Sequence, residues 1–200
     1  VSKRQSWADF RVSSMNKADI LRYMRTSSKT DDPQILALVD KAIDIINSTV
    51  TPKTLYRIFD CKVTDKSLII GDTEFFSTRL AENLKGCTRV VVFGATLGTE
   101  CDRQIKIATA TDVALAMALQ ATSADKIEEV CDNLEQEIIA KHGVSLRQRY
   151  SPGYFDLDIK EQKKFFSLLE LQKRIGLTLT DTYEMLPTKS VTAFIGIDEL

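Results

Sequence analysis

The sequence predicts an α+β fold: a single domain with a mixed or antiparallel sheet flanked by helices, one of them long. Three observations predict it. Apolar residues recur at helical spacing in two well-separated stretches, the second from about Thr111 to His142. Runs of β-branched and aromatic residues stand between and after them. The order helices, strands, helix, strand, long helix, loop, helix, strands lacks the regular strand–helix alternation of a doubly wound sheet.

The first fifteen residues, with Trp7 and Phe10, show no period and are expected to form an extended arm. Asn16 caps a short helix through Arg25, with Asp19 in the first turn, where an acid complements the helix dipole. Asp32 followed by Pro33 starts the next helix, because proline at the first helical position loses no needed donor; Ile35, Leu38, Val39, Ala42 and Ile46 follow at helical spacing. From Thr54 to Ile70 the residues turn β-branched and aromatic, and TDKS between two such runs predicts a hairpin. Residues 73–85 read as a helix ended by Gly86.

The run RVVVF, Arg89 to Phe93, is a buried strand, and the GATLG after it reads as a packed strand-to-helix turn. Gly94 and Gly98 have neither dinucleotide-fingerprint nor P-loop spacing, which argues against a nucleotide cradle. From about Thr111 to His142 the chain reads as a long helix, or two abutting ones, with Ala114, Met117, Ala118, Ala121, Ile127, Cys131, Leu134 and Ile138 on one face and its close at Gly143. His142, beside that glycine, is a helix-end cap rather than a catalytic base. After the loop RQRYSPGYFDLD a helix runs from about Ile159 to Ile175, stopped by Gly176, and Leu177–Leu179 and Val191–Ile197 read as strands.

With 27 basic and 28 acidic residues among 200, the net charge of −1 offers no field for nucleic acid or anionic lipid. Charges interrupt every apolar stretch well short of the roughly 20 residues that span a membrane. Cys61, Cys87, Cys101 and Cys131 form no CxxC pair, so a zinc site is not expected; with no apolar leader, reduced thiols and a cytoplasmic location are. One histidine and no G-x-S-x-G leave no catalytic triad to build.

The segment Arg149 to Tyr154, R-Y-S-P-G-Y, carries chemistry. Pro152 presets the second position of a turn and Gly153 permits the positive φ a type II turn needs next, so Ser151 to Tyr154 bends sharply and exposes peptide groups. The donor fork of Arg149 matches a carboxylate, with Tyr150 and Tyr154 as flat faces beside it, a set able to grip a zwitterion bearing a planar ring. A surface turn with a solvated arginine is the plain alternative. KEQKK at 160–164 reads as the solvated face of a helix.

R-x-S-P-G-Y, then L-L-E-L-x-K-R-I-G-L-x-L-T-D-T at 168–182 and Y-E-M-L-P-T-K-S-V at 183–191, resembles the reactivation domain of cobalamin-dependent methionine synthase, which binds S-adenosylmethionine (AdoMet). The resemblance implies a domain over residues 1–200, helical in 1–50 and α+β and ligand-binding in 51–200. It implies that Arg149 grips the AdoMet carboxylate, that Ser151 and Gly153 read the ligand through backbone groups, and that Tyr154 is the tyrosine ending the family's loop; Tyr150 joins this set only by its own chemistry, as a flat face beside Arg149. Glu129 is similar to a helix glutamate near the ligand, although it falls off the apolar stripe and could equally be a solvated charge.

No catalytic residue is implied, and no D-x-H-x-x-G cobalt-ligating signature occurs, so cobalamin would be held by a partner. The expected partners are a cobalamin-binding methionine synthase or its corrinoid domain and a flavodoxin- or ferredoxin-like electron donor. The chain would be a component of methyltransferase activity, presenting the AdoMet methyl group for reductive methylation of cob(II)alamin. The family continues past its Ser-Val strand into a tyrosine-bearing segment, whereas this sequence ends at Leu200, and its N-terminal aspartate has no counterpart near Arg25. These departures support an alternative, a corrinoid-docking or regulatory module that does not use AdoMet.

Overall fold

The structure, a computed structural model, describes residues 15–198, so the arm holding Trp7 and Phe10 lies outside the described residues. Helix α1 (Lys17–Tyr23) starts where Asn16 Oδ1 accepts the Ala18 N–H. Helix α2 (Pro33–Thr49) starts at the Asp32–Pro33 cap, and both pack on a later, long helix, α5 (Val113–His142). Then come β1 (Lys53–Asp60), β2 (Lys62–Val63), β3 (Ser67–Ile70), β4 (Thr73–Phe76) and α3 (Thr78–Asn83). Strand β5 (Arg89–Thr96), α4 (Thr99–Thr111), α5 (Val113–His142) and β6 (Ser145–Leu146) follow. After a loop and a 3-10 turn at Ile159–Glu161 come α6 (Gln162–Leu169), α7 (Leu171–Ile175), β7 (Thr178–Leu179), β8 (Met185–Leu186) and β9 (Ser190–Asp198).

The main sheet is antiparallel in the order β1-β5-β9-β6, with β2-β3-β4 and β7-β8 as smaller sheets. Helices cover both its faces, so the central strands read as unbroken apolar runs rather than alternating ones. Val91, Phe93, Ala95, Ala193 and Ile195 face α2, α4 and α5. Val90, Val92 and Phe194 face α6, α7 and β3, where Phe194 meets Phe75 and Phe165 at centroid distances of 4.8 and 4.4 Å. Gly94 permits that second layer, because a Cβ there would come within 2.7 Å of Leu171 Cδ2.

Three expectations are corrected. Thr73–Phe76 is a strand, not helix, because TEFF pairs with SLII across the Gly71–Asp72 turn and buries Phe75; the helix is confined to Thr78–Asn83. The TDKS turn does form the expected hairpin, of β2 with β3, while β1 pairs with the distant β5. Glu170, at φ +52°, divides the expected 159–175 helix into α6 and α7. Met117, placed on the inner face of the long helix, is exposed, and the buried stripe begins instead at Ala116 and Leu119.

The long helix is a single α5 of 30 residues, closed at Gly143, and separate from α4. Asp112 leaves helical geometry there and turns its carboxylate back to cap Leu115 N. All four cysteines are free, and burial pushes each thiol pKa up, to about 11 at Cys61 and about 12 at Cys131, which keeps them protonated and unreactive at neutral pH. Among the described residues no helix is long and apolar enough to cross a membrane.

Candidate functional site

Past β6 the chain keeps to the edge of β9. Arg147 N bonds Gly196 O, and Tyr150 exchanges both backbone hydrogen bonds with Phe194 at 2.9 Å. Leu146 lies opposite Ile197 and Tyr150 opposite Phe194, so the edge spends one residue more than its partner, a β-bulge. The extra residue reverses the side-chain alternation. Leu146 joins the α5-side layer, Tyr150 the opposite one, and Arg149 is turned toward α5.

There Arg149 meets Glu128, Asp132 and Glu135, a stripe at i, i+4 and i+7 beside the buried face of α5. Nη1 donates to Asp132 Oδ1 and Glu135 Oε1 at 2.6 Å each, and Nη2 to Glu128 Oε2 at 2.5 Å. Burial disfavours the guanidinium charge, but these three acceptors outweigh it and raise its pKa, so Arg149 is a permanent cation. Three of its five N–H groups are thereby used, and the Nε–H and one Nη2–H make no bond to a described residue.

The bend follows. Gly153 has φ +90° and Tyr154 N donates to Ser151 O at 3.3 Å, as a type II turn requires. Gly153 N is committed to Leu157 O, leaving Ser151 N–H and Gly153 C=O without a hydrogen bond to a described residue. Asp156 ties the loop to the start of α3, accepting from Ser77 Oγ and from Thr78 N and Arg79 N. Desolvation would raise its pKa, but those donors hold it below the usual aspartate value. A depressed folded-state pKa gives stability that is present above the unfolded value and lost as pH falls through the folded one. Urea midpoints measured downward from pH 5 are therefore expected to drop below about pH 4, and by less in Asp156→Asn.

These elements enclose a cleft of about 1050 Å³ bounded by α5, the bend, α3 and the start of β9, ample for a nucleoside-sized ligand. Arg149, Tyr150, Ser151 and Tyr154 line it. Gly153 sits behind them against Ile159, where a Cβ would approach Cδ1 to 3.1 Å. Tyr150 stacks on Phe155 at 5.9 Å, and Tyr154 and Phe155 form an exposed aromatic rim. Glu129 is elsewhere, paired with Lys126 at 3.1 Å; its neighbour Glu128 lines the cleft.

Sequence reasoning missed Gln162 and Thr192 in the cleft wall, 3% and 2% exposed. The Thr192 hydroxyl donates to Gln162 Oε1 at 2.7 Å, fixing the amide, while Gln162 Nε2 makes no hydrogen bond to a described residue. Gln162 lies inside a charge run that hides it, and nothing in the sequence places it against β9. Glu128, Asp132 and Glu135 were legible as a polar stripe of the long helix, but not as partners of a residue beyond Gly143.

Residues 132–199 match the model of a family described as vitamin B12-dependent methionine synthase, activation domain. Among solved structures, a crystal structure of the MetH reactivation domain bound to AdoHcy (S-adenosylhomocysteine) superposes with a TM-score of 0.68 at 16% identity, over 91% of this chain and 73% of that one. Comparison with curated protein sequences finds no match. The matched segment contains Arg149, the bend, Gln162 and β9, which together build most of the cleft. Residues 132–199 thus resemble the activation domain of vitamin B12-dependent methionine synthase in sequence, and the chain has the fold of the MetH reactivation domain over most of its length.

Proposed function

We propose that the chain binds AdoMet in the cleft beside Arg149 and holds its methyl group toward a corrinoid carried by a partner, a cobalamin-dependent methionine synthase or its corrinoid domain. The observation that carries this reading is a rigidly held guanidinium with two open donors at a cleft of nucleoside size, within the segment that matches the family. The AdoHcy bound by the MetH relative is the demethylated form of the same ligand. Arg149 donates to the ligand carboxylate, Ser151 N–H and Gly153 C=O offer peptide contacts, and the Tyr154–Phe155 rim offers flat apolar surface beside them. Glu128, rather than Glu129, supplies the helix carboxylate.

The partner's corrinoid, reduced by one electron from a flavodoxin- or ferredoxin-like donor, supplies the nucleophile that takes the methyl group, and the carbon–sulfur bonding pair stays on the sulfur of AdoHcy. A good electrophile meeting so strong a nucleophile needs alignment more than acid–base help, so the chain's contribution is position. Calorimetry with AdoMet is expected to show saturable binding, weakened at least about tenfold in Arg149→Ala through loss of a charge-assisted anchor.

The three carboxylates already on Arg149 favour a second reading, a corrinoid-docking or regulatory module that makes no use of AdoMet. That reading predicts no heat with millimolar AdoMet and retained binding of the corrinoid protein.

A further inference from the structure

We propose that Gln162 is a specificity-determining residue of the cleft: its fixed side-chain amide donates a hydrogen bond to a ring nitrogen of a purine base lying on the open edge of β9. The inference rests on the reading that AdoMet occupies the cleft, and it names what would read the base of that ligand.

Gln162 opens α6 and packs against β9, where the Thr192 hydroxyl donates to its Oε1 at 2.7 Å. That bond holds the carbonyl against the sheet and leaves the Nε2 donor over. The residue is 3% exposed and lines the cleft, and Nε2 makes no hydrogen bond to a described residue. Packing alone does not call for an amide here: Gln162, Phe165 and Leu169 are the buried residues of α6, and only the first is polar. A buried amide donor is costly to leave open. Solvent can serve it while the cleft is empty, but a ligand that closes over it must bring an acceptor or lose affinity.

A second observation comes from the backbone of β9. Phe194 exchanges both of its edge-side backbone bonds with Tyr150. Thr192 stands two residues earlier, so its N–H and C=O point to the same side, away from β5 and toward the cleft it lines. The bend carries the chain off that edge after Tyr150, and no backbone bond joins Thr192 to it. One donor and one acceptor on a strand edge, with the amide donor of Gln162 beside them, suit a flat heterocycle that offers both kinds of group. Adenine does so, since its ring nitrogens accept and its exocyclic amine donates.

The position fits the base end of the ligand. Arg149 is turned toward α5, whereas the Thr192 side chain lies on the face of β9 that carries Phe194, the one away from α5. A ligand anchored by its carboxylate on Arg149 therefore crosses the sheet edge, and its far end, the base, reaches Gln162. Ribose hydroxyls donate as well as accept and do not need a partner that only donates; a ring nitrogen, which only accepts, does.

The test is calorimetry on the full chain with AdoMet and its 1-deaza, 3-deaza and 7-deaza forms, each with a C–H in place of one ring nitrogen. One of these forms is expected to bind at least about tenfold more weakly than AdoMet. Gln162→Met, which keeps the length and removes the donor, is expected to weaken AdoMet by a similar factor and to bind that deaza form no more weakly than AdoMet. A merely structural role of Gln162 would not produce this loss of additivity. Thr192→Val, which keeps the shape of the wall and frees the amide, is expected to show the same pattern at smaller size, and it gives an answer should Gln162→Met not fold. Equal binding of AdoMet and every deaza form by the unaltered chain, unchanged AdoMet binding in Gln162→Met, or a deaza loss that persists undiminished in the variants overturns the assignment of Gln162 while leaving the cleft as an AdoMet site. Absence of AdoMet binding by the unaltered chain overturns the AdoMet reading itself.

Discussion

Phe194→Ala is expected to lower the free energy of unfolding by about 3–5 kcal/mol, measured as a fall in urea midpoint at unchanged slope. The side chain is fully buried in the middle of β9 and packs edge-on or tilted against Phe75 and Phe165. Removing it opens a cavity between two aromatic rings held by different elements, β4 and α6, neither of which can close the gap without leaving its own register. The site should suffer too, since the backbone of Phe194 holds Tyr150 in place and Arg149 precedes it directly. Phe194→Leu keeps most of the volume and should recover most of the loss. A cost under about 1 kcal/mol for the alanine variant would mean that this layer of the core is not the close-packed joint described above.

The fold class was legible because its signals are local. Pro33 after Asp32, Gly143 after a long periodic stretch, and RVVVF each declare a start, a stop or a buried strand within a few residues. What failed was non-local or depended on a single dihedral. The helix expected over 73–85 begins late because Phe75 is worth more in the β3–β4 layer than in a helical turn, a tertiary override of propensity. The break at Glu170 is one left-handed residue with no glycine to announce it. The pairing of β1 with β5, from Lys53 opposite Thr96 to Asp60 opposite Arg89, joins segments distant in the chain, which no period within either strand records.

The site divides the same way. The bend was legible, because proline and glycine state their dihedrals in the sequence. Arg149 could be named from the motif, but its direction could not, since that follows from one extra residue in an edge chain. Glu128 and Glu129 illustrate the limit most sharply: neighbours on a helix point about 100° apart, and only the placement of α5 decides which reaches the cleft.

Arg149 has a second role that binding measurements alone would conflate with the first: it fastens the edge chain to α5. Arg149→Met, which keeps the stem and removes the charge, is expected to cost about 2 kcal/mol of stability with no ligand present. The estimate lies below the 3–5 kcal/mol typical of an orphaned buried charge, because Asp132 and Glu128 remain substantially exposed and water screens them. The loss should come from three carboxylates left facing one another, and added salt should restore part of it. The decisive measurement is a double-mutant cycle. In a Glu128→Gln/Asp132→Asn/Glu135→Gln background the same Arg149→Met change should cost well under about 1 kcal/mol, because there is no longer a charge to orphan. An undiminished cost in that background would assign the stability to packing of the arginine stem instead. With both measured, a loss of AdoMet affinity in Arg149→Ala can be divided between a displaced loop and a missing carboxylate anchor.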